Sequence, residues 1–160
     1  MRLIILTWGD IVINSRRICR ESALQALYLC EALGDFSPET AQVFSTHFLA
    51  GGLSEDGEPS GPRTLEGFYN ELLEGTMRNL EAIDTAIGMA STNWSVGRMA
   101  PVERNILRIA VFELLYRPDV PSKVSINEAI EVAKEFAAPE GPAFINGVLD
   151  NVVRQSGLKG

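Results

Sequence analysis

Side chains that commonly carry catalysis or bind metals are scarce in this chain of 160 residues. The sequence has one histidine, His47, two cysteines, no dinucleotide fingerprint and no phosphate-binding loop. A lone histidine lacks the convergent acid and base partners that catalysis requires, and Cys19 and Cys30 match no zinc-ligand spacing. We therefore predict no catalytic residue, no metal site and no cofactor, in a protein that is not an enzyme.

The two cysteines cannot form an internal disulfide. Both lie in one predicted helix, eleven residues apart, and a rise of about 1.5 Å per residue separates them by about 16 Å. A disulfide needs Cα atoms within about 7 Å. Cysteines outside disulfides are typical of a reducing, cytoplasmic location. The apolar N-terminal stretch is shorter than the roughly 20 residues that span a bilayer, so no membrane contact is expected.

Positive charge is also scarce, because 14 Lys and Arg residues oppose 21 Asp and Glu residues for a net charge of −7. The first 20 residues are the exception, with four arginines and one aspartate. Arg16 and Arg20 are one helical turn apart with Arg17 beside them, so all three can reach one anionic ligand. A helix starting at Ser15 would hold them at its positive pole, which disfavours cations unless a phosphate backbone binds there. The alternative is a solvated charged surface.

Apolar residues recur at helical spacing over most of the chain, and no alternating strand pattern continues beyond the first fifteen residues. The sequence predicts an all-α fold, a single-domain helical bundle of six or seven helices. Residues 1–15 form an apolar leader of uncertain order, and the bundle occupies residues 16–157. Residues 64–87 are compatible with one long helix or with two that break near Gly75. Three apolar residues of a connector are expected to fill the core: Trp94, Val96 and Met99.

The last third of the chain predicts a central helix followed by two more. Between positions 106 and 115 only Arg108 and Glu113 are polar, so this helix must be surrounded by protein. We expect Glu113 to pair with Arg117, four residues later. Residues 125–128 have the form of a capping box that would begin the next helix.

Three segments carry a family resemblance. RRICRESALQALY at 16–28, APVERNILRIAVFELLYRPDVPSKVSINEAIEVAKEF at 100–136 and FINGVLD at 144–150 resemble the NusB family of transcription antitermination factors. The similarity extends from position 16 to about 153 and is weak over 35–99. It implies a small all-α RNA-binding protein of the bacterial cytoplasm.

The resemblance also implies partners and site residues. Family members bind the single-stranded boxA element of ribosomal RNA leaders together with NusE, a small-subunit ribosomal protein, and the pair helps RNA polymerase resist termination. Tyr28 and Glu103 would lie on the NusE side, and a plain surface role is the alternative for both. For Phe136 and Phe144 the alternative is core packing. The RNA-binding residues implied are Arg16, Arg17, Arg20, Arg108, Lys123, Phe136 and Phe144.

Two other functions remain open at this point. The chain could be the NusB-like, RNA-recruiting domain of a ribosomal RNA methyltransferase. It could instead be a homo-oligomeric interaction module that buries its arginines between copies. The acidic body favours an antitermination factor that acts with NusE, because it suits a basic ribosomal partner. Whether the protein is a monomer or a homodimer does not follow from the sequence.

Overall fold

The computed structural model describes the backbone of residues 8–44 and 63–159, and the side chains of residues 16–44 and 67–159. Seven α-helices and one short 3₁₀ turn occupy these ranges, and no strand occurs within them. The predicted all-α bundle of six or seven helices is confirmed. The helices are α1 (Trp8–Leu33), α2 (Pro38–Phe44), α3 (Arg63–Arg78), α4 (Leu80–Ala90), α5 (Pro101–Tyr116), α6 (Ser122–Phe136) and α7 (Gly141–Gln155), with the 3₁₀ turn at Val96–Arg98.

Helix α5 is the centre of the fold. It contacts α1, α3, α4, α6 and α7, and every residue from Asn105 to Leu114 is buried. Leu107 and Val111 are fully enclosed. Burying side chains of this size stabilises the folded state by about 1.5–3 kcal/mol each. The predicted central helix is therefore confirmed, since a helix that is apolar on nearly all sides requires neighbours on all sides.

Helix α1 begins at Trp8, well before the predicted start at Ser15. The three arginines from Arg16 onward consequently lie in the third turn and beyond. The helix dipole acts mainly on the first turn, so the prediction that these cations stand at its positive pole is wrong. Residues 1–7 lie outside the described range.

Residues 63–90 form two helices that separate at Asn79, four residues after the predicted break at Gly75. The Asn79 side-chain amide donates a hydrogen bond of 2.8 Å to the Gly75 carbonyl. Gly75 serves packing, because a Cβ there would lie 2.2 Å from Cζ of Phe112 on α5. Only a residue without a side chain lets the two helices approach this closely.

The predicted capping box at residues 125–128 is wrong. Helix α6 already begins at Ser122, and the Pro121 carbonyl accepts the first backbone bonds, from Val124 and Ser125. Ser125 is therefore inside the helix and buried, and its hydroxyl has no hydrogen-bond partner within the described residues. Glu128 bonds an arginine of α1 instead of the helix start.

The connector between α4 and α5 differs from the prediction at one residue. Met99 is buried and Val96 is partly buried, as expected, but Trp94 is 52% exposed. Residues 92–95 run over the surface, so the indole faces an open groove instead of the core.

As predicted, Cys19 and Cys30 form no disulfide with each other, and both are buried. His47 lies outside the described residues. No helix of the described part is long and apolar enough to cross a membrane.

Replacing Gly75 with alanine is expected to lower the free energy of unfolding by about 1–3 kcal/mol, because the new methyl group would overlap the Phe112 ring. Gly67→Ala is the matched control on the same helix, where an added Cβ meets nothing within 4 Å. That change should stabilise the protein by about 0.5–1 kcal/mol through helix propensity. Urea unfolding measures both, and equal effects would contradict the packing role of Gly75.

Candidate nucleic-acid interface

Arg20 is buried and bound to a carboxylate of the central helix. Its Nε and Nη2 atoms donate to Oε2 and Oε1 of Glu113 at 2.9 and 2.6 Å. Arg20 is 4% exposed and Glu113 is 1% exposed. Two parallel bonds to one carboxylate are among the strongest arrangements available to arginine. The pair therefore joins α1 to α5 and leaves the Arg20 guanidinium little access to a ligand.

The predicted pair between Glu113 and Arg117 is wrong. Glu113 faces α1, whereas Arg117 is the first residue beyond α5, with φ −122° and ψ 74°, so its side chain leaves the helical direction. The Nε and Nη2 atoms of Arg117 each donate to Asp119 at 2.9 Å, and Nη1 bonds Glu71.

Arg17 is half-open to solvent. Its Nε and Nη2 atoms donate to Glu128 of α6 at 2.9 and 3.1 Å, and its side chain is 31% exposed. The bond to Glu128, opposed by burial, raises the pKa of Arg17 above its ordinary value. The charges of Glu131 and Glu21 act in the same direction. The charge of the Arg17 guanidinium is thus already balanced by Glu128, and an incoming phosphate would compete with that carboxylate.

Arg16 is the exposed member of the sequence motif. Its guanidinium carbon lies 5.0 Å from the centre of the Phe68 ring on α3, a cation–π contact. The same ring is 5.3 Å from Arg20 and 5.6 Å from Arg117. We call the four residues Arg16, Arg17, Arg20 and Arg117 the arginine cluster. Sequence reasoning missed Arg117 here, because nothing in a local pattern brings position 117 beside position 16.

Lys123 is exposed in the first turn of α6. It lies five residues before Glu128, the partner of Arg17, which is about 7.5 Å along the helix axis. The lysine lies at the start of α6, whereas Glu128 and the arginine cluster that it contacts lie at the middle of the helix.

Arg108 lies in a second, separate polar network. Its Nε and Nη2 atoms donate to the two Asp84 oxygens at 2.8 Å each, and Nη1 donates to Glu31 at 2.8 Å and to Asn105 at 3.1 Å. Burial raises the pKa of Glu31, but bonds and charges from Arg104, Asn105 and Arg108 together hold it below its ordinary value. The network ties α1, α4 and α5, and Arg108 is buried within it.

Phe136 and Phe144 flank the turn between α6 and α7. Phe136 is exposed at the end of α6, and Phe144 is partly buried in the first turn of α7. Thirteen residues separate Lys123 from Phe136, which is about 20 Å along α6. Lys123 and Phe136 thus lie at opposite ends of α6.

Carboxylates occupy the surface between these two ends. Burial of Glu21 on α1, followed by the charge and the hydrogen bonding of the nearby Glu135 on α6, raises the pKa of Glu21 above its ordinary value. An anionic strand following this face would meet repulsion between its two favourable ends.

The two residues predicted for a protein partner differ in exposure. Tyr28 of α1 is exposed, whereas Glu103 is buried in the first turn of α5. The Glu103 carboxylate lies against the start of α7, where a Cβ on Gly141 would be 3.3 Å from its Oε1.

The described residues form a helical bundle whose exposed cations and aromatic rings suit binding. Among them, no group of three or more His, Cys, Asp or Glu side chains could hold a metal ion. The exposed residues of α6 include Lys123 near its start and Phe136 at its end.

Comparison with known proteins identifies the class more closely. The model of the NusB family matches residues 17–154. Transcription antitermination protein NusB of Geotalea daltonii is 48% identical over 143 residues, covering 87% of this chain and 94% of the relative. The protein of the same description from Myxococcus xanthus is 42% identical over 139 residues, with coverage of 87% and 94%. The chain therefore belongs to the NusB family, which confirms the resemblance found in the sequence.

Solved structures agree with this assignment. NusB of T. maritima superposes with a TM-score of 0.72 at 30% identity, covering 88% of this chain and 91% of that one. A structure of antitermination factors NusB and NusE in complex with dsRNA gives a TM-score of 0.71 at 24% identity, covering 89% and 98%. At that identity the second likeness concerns the fold.

Removing one partner of the Arg20–Glu113 pair should leave the other charge buried alone. We expect Arg20→Met and Glu113→Leu each to lower the free energy of unfolding by about 3–5 kcal/mol. The double substitution should cost less than either single one, since no charge then remains buried. Arg16→Met is the control, and it should change stability by less than about 1 kcal/mol because Arg16 is exposed. Additive losses in the double variant, measured by urea unfolding, would contradict the pair.

Proposed function

We propose that this protein is an RNA-binding transcription antitermination factor of the bacterial cytoplasm. It binds boxA-type leader RNA together with the ribosomal protein NusE and promotes processive transcription of ribosomal RNA operons within an RNA polymerase complex. The observation that carries the proposal is the match over residues 17–154 to a family whose curated members are named transcription antitermination proteins.

The exposure of the cations supports a division of roles within the predicted RNA site. Arg16 and Lys123 are exposed, so they contact phosphates directly. Arg17 is partly exposed and joins them by exchanging Glu128 for a phosphate. Arg20 and Arg108 are buried in ion pairs, and their role is to position α1 and α5.

Aromatic stacking and a basic partner supply what this surface lacks. Phe136 and Phe144 stack on unpaired bases, which needs no sequence-specific hydrogen bonds. Carboxylates such as Glu135 lie between the rings and the cations, so the RNA backbone there is held by NusE. Tyr28, exposed on α1, contacts NusE, and Glu103 supports that contact from beneath.

A binding role is favoured over the methyltransferase alternative. The alignment with the Geotalea daltonii relative covers 94% of that protein, which carries an antitermination name and not an enzymatic one. A homodimer with arginines between the copies would cover Arg16, and in that case RNA would dissociate it.

Fluorescence anisotropy of a labelled boxA-like RNA tests the proposal with this protein, with NusE and with both. We expect the mixture to bind at least about tenfold more tightly than NusE alone, because each protein contributes part of the surface. A mixture that binds no more tightly than NusE alone would contradict the function. Light scattering of the same samples reports whether RNA changes the number of copies.

Substitutions tested in the same assay distinguish cations that contact RNA from exposed cations that do not. Arg16→Ala and Lys123→Ala should each weaken RNA binding and reduce the slope of log affinity against log salt by about 1, since each removes one phosphate contact. Arg78→Ala is the matched control, because Arg78 is also exposed but ends α3, ten residues beyond Phe68. Equal effects at all three positions would exclude the arginine cluster from the site.

A further inference from the structure

A surface groove lies between the connector after α4 and one side of α7. It has a volume of about 440 Å³, within the range of sites that bind small molecules. Ala90 and Val148 are buried and form its floor. Trp94 lines it from the connector and Phe144 lines it from the first turn of α7. The groove is therefore aromatic on both sides and apolar beneath.

Two polar side chains of the groove, Asn151 and Arg154, are held by hydrogen bonds. Asn151 donates from Nδ2 to the Ala90 carbonyl at 2.9 Å, which bridges α7 to the end of α4. Arg154 donates from Nη2 to Oδ1 of Asn151 at 2.7 Å, so its guanidinium is fixed beside the groove. Asp150 is the acidic residue that lines the groove, so its charge and that of Arg154 offset each other.

The aromatic faces of this groove, its balanced charges and the hydrogen-bonded amide of Asn151 suit a flat, uncharged ring with hydrogen-bonding edges. A nucleobase has this chemistry, and Arg154 at the rim can hold the phosphate attached to it. The groove is continuous with the predicted RNA surface, because Phe144 belongs to both. Trp94 remains 52% exposed although nothing in the described fold needs an indole at the surface.

We propose that this groove binds one unpaired nucleobase of the RNA, which stacks on Trp94 while Asn93 and Asn151 face its edge. This inference rests on the proposed function, because it extends the path of the same RNA beyond Phe144. The strand then reaches α7 and the connector beyond Phe136, which lies about 12 Å along α6 from Glu128, the partner of Arg17.

Trp94→Ala and Trp94→Phe test the groove in the anisotropy assay with NusE present. We expect Trp94→Ala to weaken RNA binding about tenfold and Trp94→Phe to weaken it much less, since phenylalanine keeps an aromatic face. Met89→Ala is the matched control, because Met89 is 68% exposed on α4 and does not line the groove. It should leave RNA affinity unchanged. Circular dichroism verifies that each variant is folded.

Three further measurements test whether the groove binds RNA, NusE or both. A series of RNAs with one abasic nucleotide each should contain one position at which wild-type protein and Trp94→Ala bind equally, because the base that stacks is already missing. The NusE affinity measured without RNA should be the same for both proteins. In a Trp8→Phe background, which leaves Trp94 as the remaining tryptophan, RNA should quench the indole fluorescence.

The outcomes that overturn the inference differ from those that overturn the function. If wild-type protein binds RNA but Trp94→Ala behaves like Met89→Ala and no quenching occurs, the groove binds no base and the function stands. If Trp94→Ala weakens NusE binding without RNA, the groove binds a protein segment and the inference is wrong. If wild-type protein and NusE together bind no RNA, both proposals fail.

Discussion

The buried ion pair between Arg20 and Glu113 fixes the position of α1 on the central helix. The pair replaces the hydration of two charges with two short parallel hydrogen bonds. Loss of either partner would leave the other charge buried without compensation and would destabilise the folded protein. Further along α1, Glu31 bonds Arg104 and Arg108. Helix α1 is therefore attached to α5 at two places eleven residues apart, about 16 Å along its axis. The surface that carries Arg16, Arg17 and Tyr28 is held by these two attachments.

This arrangement separates arginines that look equivalent in the sequence. Arg16 and Arg20 are one turn apart, yet one is exposed over Phe68 and the other is buried against Glu113. A motif of adjacent cations can thus combine a ligand contact with a structural support. The same distinction applies to Arg108, whose charge is balanced by Asp84 and Glu31 inside the bundle.

Much of the fold could be predicted because it depends on local signals. The apolar run around Leu107 required a central helix, and the structure places α5 there. The start of α1, the capping box at Ser125 and the partner of Glu113 were mispredicted. In each case the sequence allows more than one helix start or ion-pair partner, and contacts with other helices determine which one forms. The candidate site was less predictable still, since Arg117 and Trp94 reach their positions only through the packing of distant helices.

Arginine side-chain signals in a ¹⁵N NMR titration with RNA and NusE test the central distinction most directly. We expect the Nε–H signal of Arg16 to shift as RNA binds, because its guanidinium is exposed. The signals of Arg20 and Arg108 should be visible at neutral pH without RNA, since burial and ion pairing slow their exchange with water, and they should barely move. Large shifts at Arg20 with none at Arg16 would contradict the division between contacting and supporting arginines.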